Sequence, residues 1–217
     1  MNIEHHLDSA TIVAVAAGTL SEALSVVAAS HIAWCPECRR TLQQAEQFGG
    51  EILAGLDATP VSESCRSQTL GMLDRATLHR FPKARPAQMD IPGPLARLLA
   101  GQDLADIKWK SKAPGVAMHD LPLSAGAKGK LLLMRIAPGK SMPEHGHGGE
   151  EITLILSGAY NDALGRFAQG DVADLGEHIE HQPVVEADAA CLCLVATEAP
   201  TRFKSWPARL LQPFIGI

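Results

Sequence analysis

The chain has 217 residues, of which 46 % are hydrophobic and 20 % charged, and its formal net charge is -5. That balance supports a buried core in one large or two small domains, and it argues against a basic nucleic-acid surface. Aromatic residues make up only 4 %, which also argues against a base-stacking platform.

The opening segment, MNIEHHLDSA, lacks the basic region and apolar run of a secretory leader. From Ala10 to Ala29 the chain is apolar, but Gly18, Thr19, Ser21 and Glu22 interrupt it too often for a membrane span. A cytoplasmic protein with no membrane partner is expected. Its cysteines, Cys35, Cys38, Cys65, Cys191 and Cys193, are odd in number. In a reducing compartment they read as metal ligands or small buried residues, not as a disulfide framework.

Helical patterning fills roughly the first 80 residues. Ser9 is positioned to cap a helix beginning near Ala10, and Gly18 to end it. Thr19 or Ser21 opens a second helix carrying Leu24, Val27, Ala28 and His31 at helical spacing. Pro36 suits the first turn of a third, whose stripe of Cys38, Leu42, Ala45 and Phe48 is expected to stop at Gly49-Gly50. A fourth helical stretch is expected from Ser62 to His79, with Leu70, Met72, Leu73 and Leu78.

The segment FPKARPAQMDIPGP, with four prolines and a glycine, then reads as a linker, and PLARLLAGQ as a short helix inside it. After Trp109 the pattern turns to short apolar runs broken by glycine and proline: GVAMHDLPL, GKLLLMRIAPG, ITLILSG and VVEADAACLCLVAT. Such runs predict an antiparallel sandwich or barrel. The expected organisation is a helical domain over 1–85, a Pro/Gly-rich linker over 86–104 and a β domain over 105–217.

Two constellations carry chemistry. In HIAWCPEC, His31, Cys35 and Cys38 share one face if the helix is continuous. If Pro36 breaks the helix, the two cysteines can still hold one ion. Zinc takes four ligands in a tetrahedron and accepts both thiolate and imidazole. Either His5 or His6 can complete the set if the first helix packs against this one. A redox role for the Cys-x-x-Cys pair would require a preceding strand, and here a helix precedes it.

This histidine–cysteine pattern, with the flanking segment HHLDSATIVAVAAGTLSEALSVVAASHIAWCPEC, resembles the zinc-binding anti-sigma domain, in particular its ChrR-type branch. The resemblance implies His6, His31, Cys35 and Cys38 as ligands of a structural zinc ion. It implies a sigma factor as the protein partner, kept from RNA polymerase, and no direct contact with nucleic acid.

In the second constellation, Gly139 is followed after five residues by His145, then by His147, Glu151 and Gly158. Residues of equal parity on a strand share a face, so two imidazoles and a carboxylate converge as a facial metal site. Gly148-Gly149 allows a bend between them. The spacing matches the first motif of the cupin family at every fixed position. The second motif departs from the usual form: a turn at Gly170-Asp171 is followed by His178 and His181, either of which can face the first three ligands. The ChrR-type resemblance implies His181.

By that resemblance the fold is a small all-α zinc-binding anti-sigma domain followed by an all-β cupin, a jelly-roll barrel. The barrel ion is then zinc, with iron or manganese as alternatives. The function implied is inhibition of an extracytoplasmic-function-type sigma factor, relieved by singlet oxygen or organic hydroperoxide sensed through the cupin. The rival reading is a cupin dioxygenase with an N-terminal helical module. Cys191 and Cys193 fall on one face of a strand, as small core residues or as an oxidation sensor beside the metal. His79 and His119 have no evident partners in the sequence pattern, and Cys65 reads as an ordinary helix residue.

Overall fold

The computed structural model describes residues 2–75, 91–176, 179–200 and 202–203. Helices come first: α1 (Ser9–Ala17), α2 (Glu22–Trp34), α3 (Pro36–Ala54), α4 (Cys65–Arg75) and a short α5 (Gly93–Leu98). The N-cap of α1 is Asp8 rather than Ser9, because its carboxylate accepts from Ala10 N–H at 2.7 Å. Ser21 sits at the N-cap of α2. The chain then breaks at Cys35, so His31, Cys35 and Cys38 do not lie on one continuous helix. Cys35 ends α2 and caps α3, its sulfur accepting from Cys38 N–H, while Pro36 occupies the first turn.

Gly49-Gly50 does not stop α3, which continues to Ala54. A glycine costs about 1 kcal/mol inside a helix, and the good helix formers on both sides carry the turn through. The expected fourth helix is described as far as Arg75, and its end at His79 lies outside the described residues.

The second half is antiparallel. Its strands are β1 (Lys110–Ala113), β2 (Val116–Asp120), β3 (Lys130–Ile136), β4 (His145–Gly146), β5 (Glu151–Ser157), β6 (Ala159–Asp162), β7 (Gly165–Ala168), β8 (Val172–Leu175), β9 (Val184–Val185), β10 (Cys191–Thr197) and β11 (Arg202–Phe203). The main sheet runs β1-β2-β3-β10-β5-β8, a second runs β7-β6-β9, and β11 pairs with β4. Gly158 turns the corner from β5 into β6 with φ 74°, and a Cβ there would run into the Ala190 carbonyl, so only glycine fits.

Strand β10 explains how the halves join. Cys191, Cys193 and Val195 belong to the barrel's inner cluster with Met134, Tyr160 and Phe167. Leu192, Leu194 and Ala196 face the other way, into a cluster that also holds Ile12, Leu24, Val27 and Ala28 of the helices. Helix α2 therefore lies on the outer face of the main sheet, against β5 and β10. One strand thus serves two cores, since its side chains alternate and both faces are covered. Glu22 adds a polar tie, accepting from the Ser124 N–H at 3.0 Å and from its hydroxyl at 3.1 Å.

No single helix among the described residues is long and apolar enough to cross a membrane, and α1 and α2, apolar as a pair, meet at 110°.

Candidate metal centres

In the helical half, one ligand atom from each of His6, His31, Cys35 and Cys38 lies within 4.8 Å of the others. His31 is fully buried at the end of α2, and its Nδ1–H donates to the Gly170 carbonyl at 3.0 Å. That bond fixes the tautomer and leaves Nε2 aimed at Cys38 Sγ, 3.2 Å away. His6 arrives from the extended segment before α1, its Nδ1 at 3.3 Å from Cys35 Sγ and 3.8 Å from Cys38 Sγ. Its Nε2 lies 3.4 Å from a Glu37 carboxylate oxygen. His5 points the other way: it stacks on Phe167 with ring centroids 4.0 Å apart and donates through Nε2 to the Arg166 carbonyl at 3.0 Å.

The electrostatics of this cluster suit a cation. Burial lowers the His31 pKa to about 4, against the opposing pull of the Gly170 carbonyl, so the ring stays neutral at ordinary pH. Burial first, then the neighbouring Cys35, pushes the Cys38 thiol up to about 12, opposed by the Leu7 backbone. A neutral imidazole and two thiols in a water-poor pocket form a soft donor set, and a divalent cation would draw the thiol protons off.

In the barrel, His145, His147, Glu151 and His181 come within the same 4.8 Å, and all four are buried. His145 stands on β4, Glu151 opens β5, and His147 sits on the turn between them. His181 bridges to His145 by paired backbone hydrogen bonds of 3.1 and 3.0 Å. His178 lies outside the described residues.

Each of two imidazoles is oriented through its far nitrogen. His145 Nδ1–H donates to the Pro143 carbonyl at 2.8 Å, and His181 Nδ1–H to the Asp162 carboxylate at 2.9 Å. With both protons on Nδ1, the Nε2 lone pairs face each other across 3.1 Å. Two acceptors at that separation repel unless a cation lies between or beside them. His147 adds to the case. It is 1 % exposed, its Nδ1 lies 3.2 Å from a Glu151 oxygen but out of line for a hydrogen bond, and its Nε2 has no hydrogen-bond partner among the described residues. A buried imidazole with an unpartnered nitrogen is costly, and coordination removes that cost.

Burial depresses the His145 pKa, against the Pro143 carbonyl. Burial alone would raise Glu151, but His147 and then the other two imidazoles outweigh it and hold its carboxyl below the usual range. The donor set is three imidazoles and one carboxylate, which fits a divalent transition metal.

The cavity over this centre is lined by Met134, Ile136, Met142, Tyr160, Cys193 and Val195. Cys191 and Cys193 face each other at 3.6 Å and are buried, and the Cys191 contact followed by burial keeps the Cys193 thiol well above its ordinary pKa. Cys65 is a half-buried free thiol on α4. His119 has a partner the pattern did not reveal: its Nδ1 lies 3.2 Å from the Lys108 carbonyl. The sequence reading placed a turn at Gly170 without its role and missed Asp162; both orient candidate ligands from distant parts of the chain. No local spacing ties Asp162 to His181; the structure places its carboxylate, at 0 % side-chain exposure, against that ring.

A family model described as the ChrR cupin-like domain matches residues 99–200. The anti-sigma-E factor ChrR of Cereibacter sphaeroides is 40 % identical over 217 residues, covering 100 % of both chains. This chain belongs to the ChrR family of anti-sigma factors. A crystal structure of Rhodobacter sphaeroides SigE in complex with the anti-sigma ChrR matches with a TM-score of 0.77 and 36 % identity, covering 90 % of this chain and 99 % of that one. Like this chain, the ChrR family joins N-terminal helices to a C-terminal cupin. Both relatives are named as anti-sigma factors, and a cupin fold does not in itself imply catalysis.

Proposed function

We propose that this chain is an anti-sigma factor that binds an extracytoplasmic-function-type sigma factor through its helical half and releases it when the barrel meets an oxidative signal. The full-length similarity to the anti-sigma-E factor ChrR carries this reading. A surface suited to a protein partner supports it. Helix α3 with the turn just after it presents Phe48, Ile52, Leu53 and Leu56, and α4 presents Met72 and Leu73, all 55–70 % exposed. Exposed apolar side chains in such number on helices suit a protein-interaction surface.

In this reading residues 1–85 grip sigma, 86–104 connect, and 105–217 sense. His6, His31, Cys35 and Cys38 hold a structural zinc ion, which supplies folding energy to a half with few buried residues beyond α2. His145, His147, Glu151 and His181 hold the second ion, zinc, with iron or manganese as the alternatives that metal analysis distinguishes. The expected compartment is the cytoplasm, where sigma factors act.

The test is co-expression of the full chain with the sigma factor encoded beside it. A soluble one-to-one complex is expected, along with repression of a sigma-dependent reporter. Cys35→Ser with Cys38→Ser should free the reporter. His145→Ala with His147→Ala should keep repression but blunt induction by singlet oxygen or organic hydroperoxide. No complex with the intact chain would overturn the reading, and loss of binding in the barrel variant would overturn its division of labour.

A further inference from the structure

Two of the four helical ligands are held in place by a single turn of the barrel. That turn, Gly170-Asp171, joins β7 to β8. Gly170 adopts φ 95°, and its carbonyl accepts from His31 Nδ1–H. One oxygen of Asp171 accepts from Glu4 N–H at 2.7 Å and from His5 N–H at 3.0 Å, while the other accepts from Ala168 N–H at 2.8 Å. The Asp171 carboxylate is thus filled by three backbone donors, two of them from the segment that carries His6. Val172 N–H donates to the His5 carbonyl at 3.3 Å, extending the attachment.

The same hairpin reaches the barrel centre. Asp162, at the end of β6, orients His181. Tyr160 lines the cavity over the barrel ligands and stacks on Phe167 of β7 with centroids 5.0 Å apart, and Phe167 stacks in turn on His5. One short element, β6–β7 with its following turn, therefore touches a ligand partner at each centre.

We infer that Asp171 and the β6–β7 hairpin couple the two metal centres, so that occupancy of the barrel site sets the affinity of the helical site. Asp171 is a positioning residue: it touches no ion and acts through the backbone beside His6. The inference rests on the reading that both clusters hold metal, but it requires no sigma factor. Coupling of this kind is reciprocal, so filling either site tightens the other by the same factor.

The experiment uses the full chain with cobalt(II) or zinc as the probe. Helical-site affinity is read by chelator competition and from the cobalt–thiolate absorption, in the parent and in His147→Ala, whose barrel site is disabled. Disabling the barrel site should weaken the helical site at least about tenfold. Asp171→Ala should weaken it by about 10–100-fold, the usual cost of losing an outer-shell partner, and should shift the cobalt band. In Asp171→Ala, disabling the barrel site should then add little further loss, since the two changes act along one route.

His5→Ala keeps the backbone bonds to Asp171 but removes the ring that stacks on Phe167 and donates to the Arg166 carbonyl, a second tie between the His6 segment and β7; it should also reduce the coupling and keeps the test open if Asp171→Ala does not fold. The proposal is overturned if His5→Ala and Asp171→Ala keep parental helical-site affinity, or if disabling the barrel site has its full effect in their presence. If neither cluster binds metal in the parent, the metal-site reading itself fails, which is a different outcome from uncoupled sites.

Discussion

Replacing Leu24 with alanine tests whether the two halves form one cooperative body. Leu24 lies on α2, is 0 % exposed, and belongs to the cluster that contains Leu154, Leu194 and Ala196 of the main sheet. A fully buried leucine cut to alanine loses its transfer energy and leaves a cavity, together about 3 kcal/mol. In a chain of this size each kcal/mol lowers Tm by about 2–4 °C, so a fall of about 6–12 °C is expected. The assay is differential scanning calorimetry of the metal-loaded chain, with far-ultraviolet circular dichroism following the same transition. Because α2 packs on β5 and β10 of the main sheet as well as on α5, a single transition should move as a whole. Val13→Ala, at a position 58 % exposed on α1, serves as the control and should change stability by less than about 0.5 kcal/mol. Two separate transitions, with the upper one unmoved by Leu24→Ala, would refute the shared core.

Asp162→Ala removes the carboxylate that accepts from His181, and barrel metal affinity should drop by about 10–100-fold in a competition titration; an unchanged constant would deny it an orienting role. Gly158→Ala forces a side chain into a positive-φ corner against the Ala190 carbonyl and should cost at least about 1–2 kcal/mol by urea denaturation. Asp174 gives a pH signature. Burial raises its carboxyl above the ordinary value, against hydrogen bonds from the Asp8 N–H and the Thr11 hydroxyl. The folded chain therefore binds this proton more tightly than the unfolded one. Its contribution is full below about pH 4 and is lost as pH rises through the elevated folded value. Asp174→Asn should accordingly gain stability relative to the parent as pH climbs through that window and then level off, and a difference that stays flat with pH would contradict the assignment.

Much of the site chemistry was legible in the sequence because its spacing is local. His145, His147 and Glu151 sit within seven residues, as do the two cysteines with His31 within eight, so residue type and interval were enough to nominate them. The alternation of Cys191, Leu192, Cys193 and Leu194 likewise fixed which face each would take. The missing pieces were long-range or masked by polar residues. Strands β6 and β7 carry the polar residues Asn161, Asp162 and Arg166, together with Gly165, which give no strand alternation in the sequence, although they pair as a hairpin. The Gly49-Gly50 pair looked like a stop, because propensity cannot see that strong helix formers on each side outweigh it. The contact of His5 with Asp171 spans 166 residues, and nothing in a glycine–aspartate turn announces what it will hold.

The two-sided character of β10 has a consequence for anyone exchanging parts among these proteins. A foreign cupin grafted in place of this barrel would arrive with an outer wall adapted to water, and helix α2 would find no seat on it. A working chimera must transplant the apolar sequence at 192, 194 and 196 together with the turn at 170–171. For the same reason, inherited variation along this strand should be tightly limited on its outward side, although no ion is ever touched there.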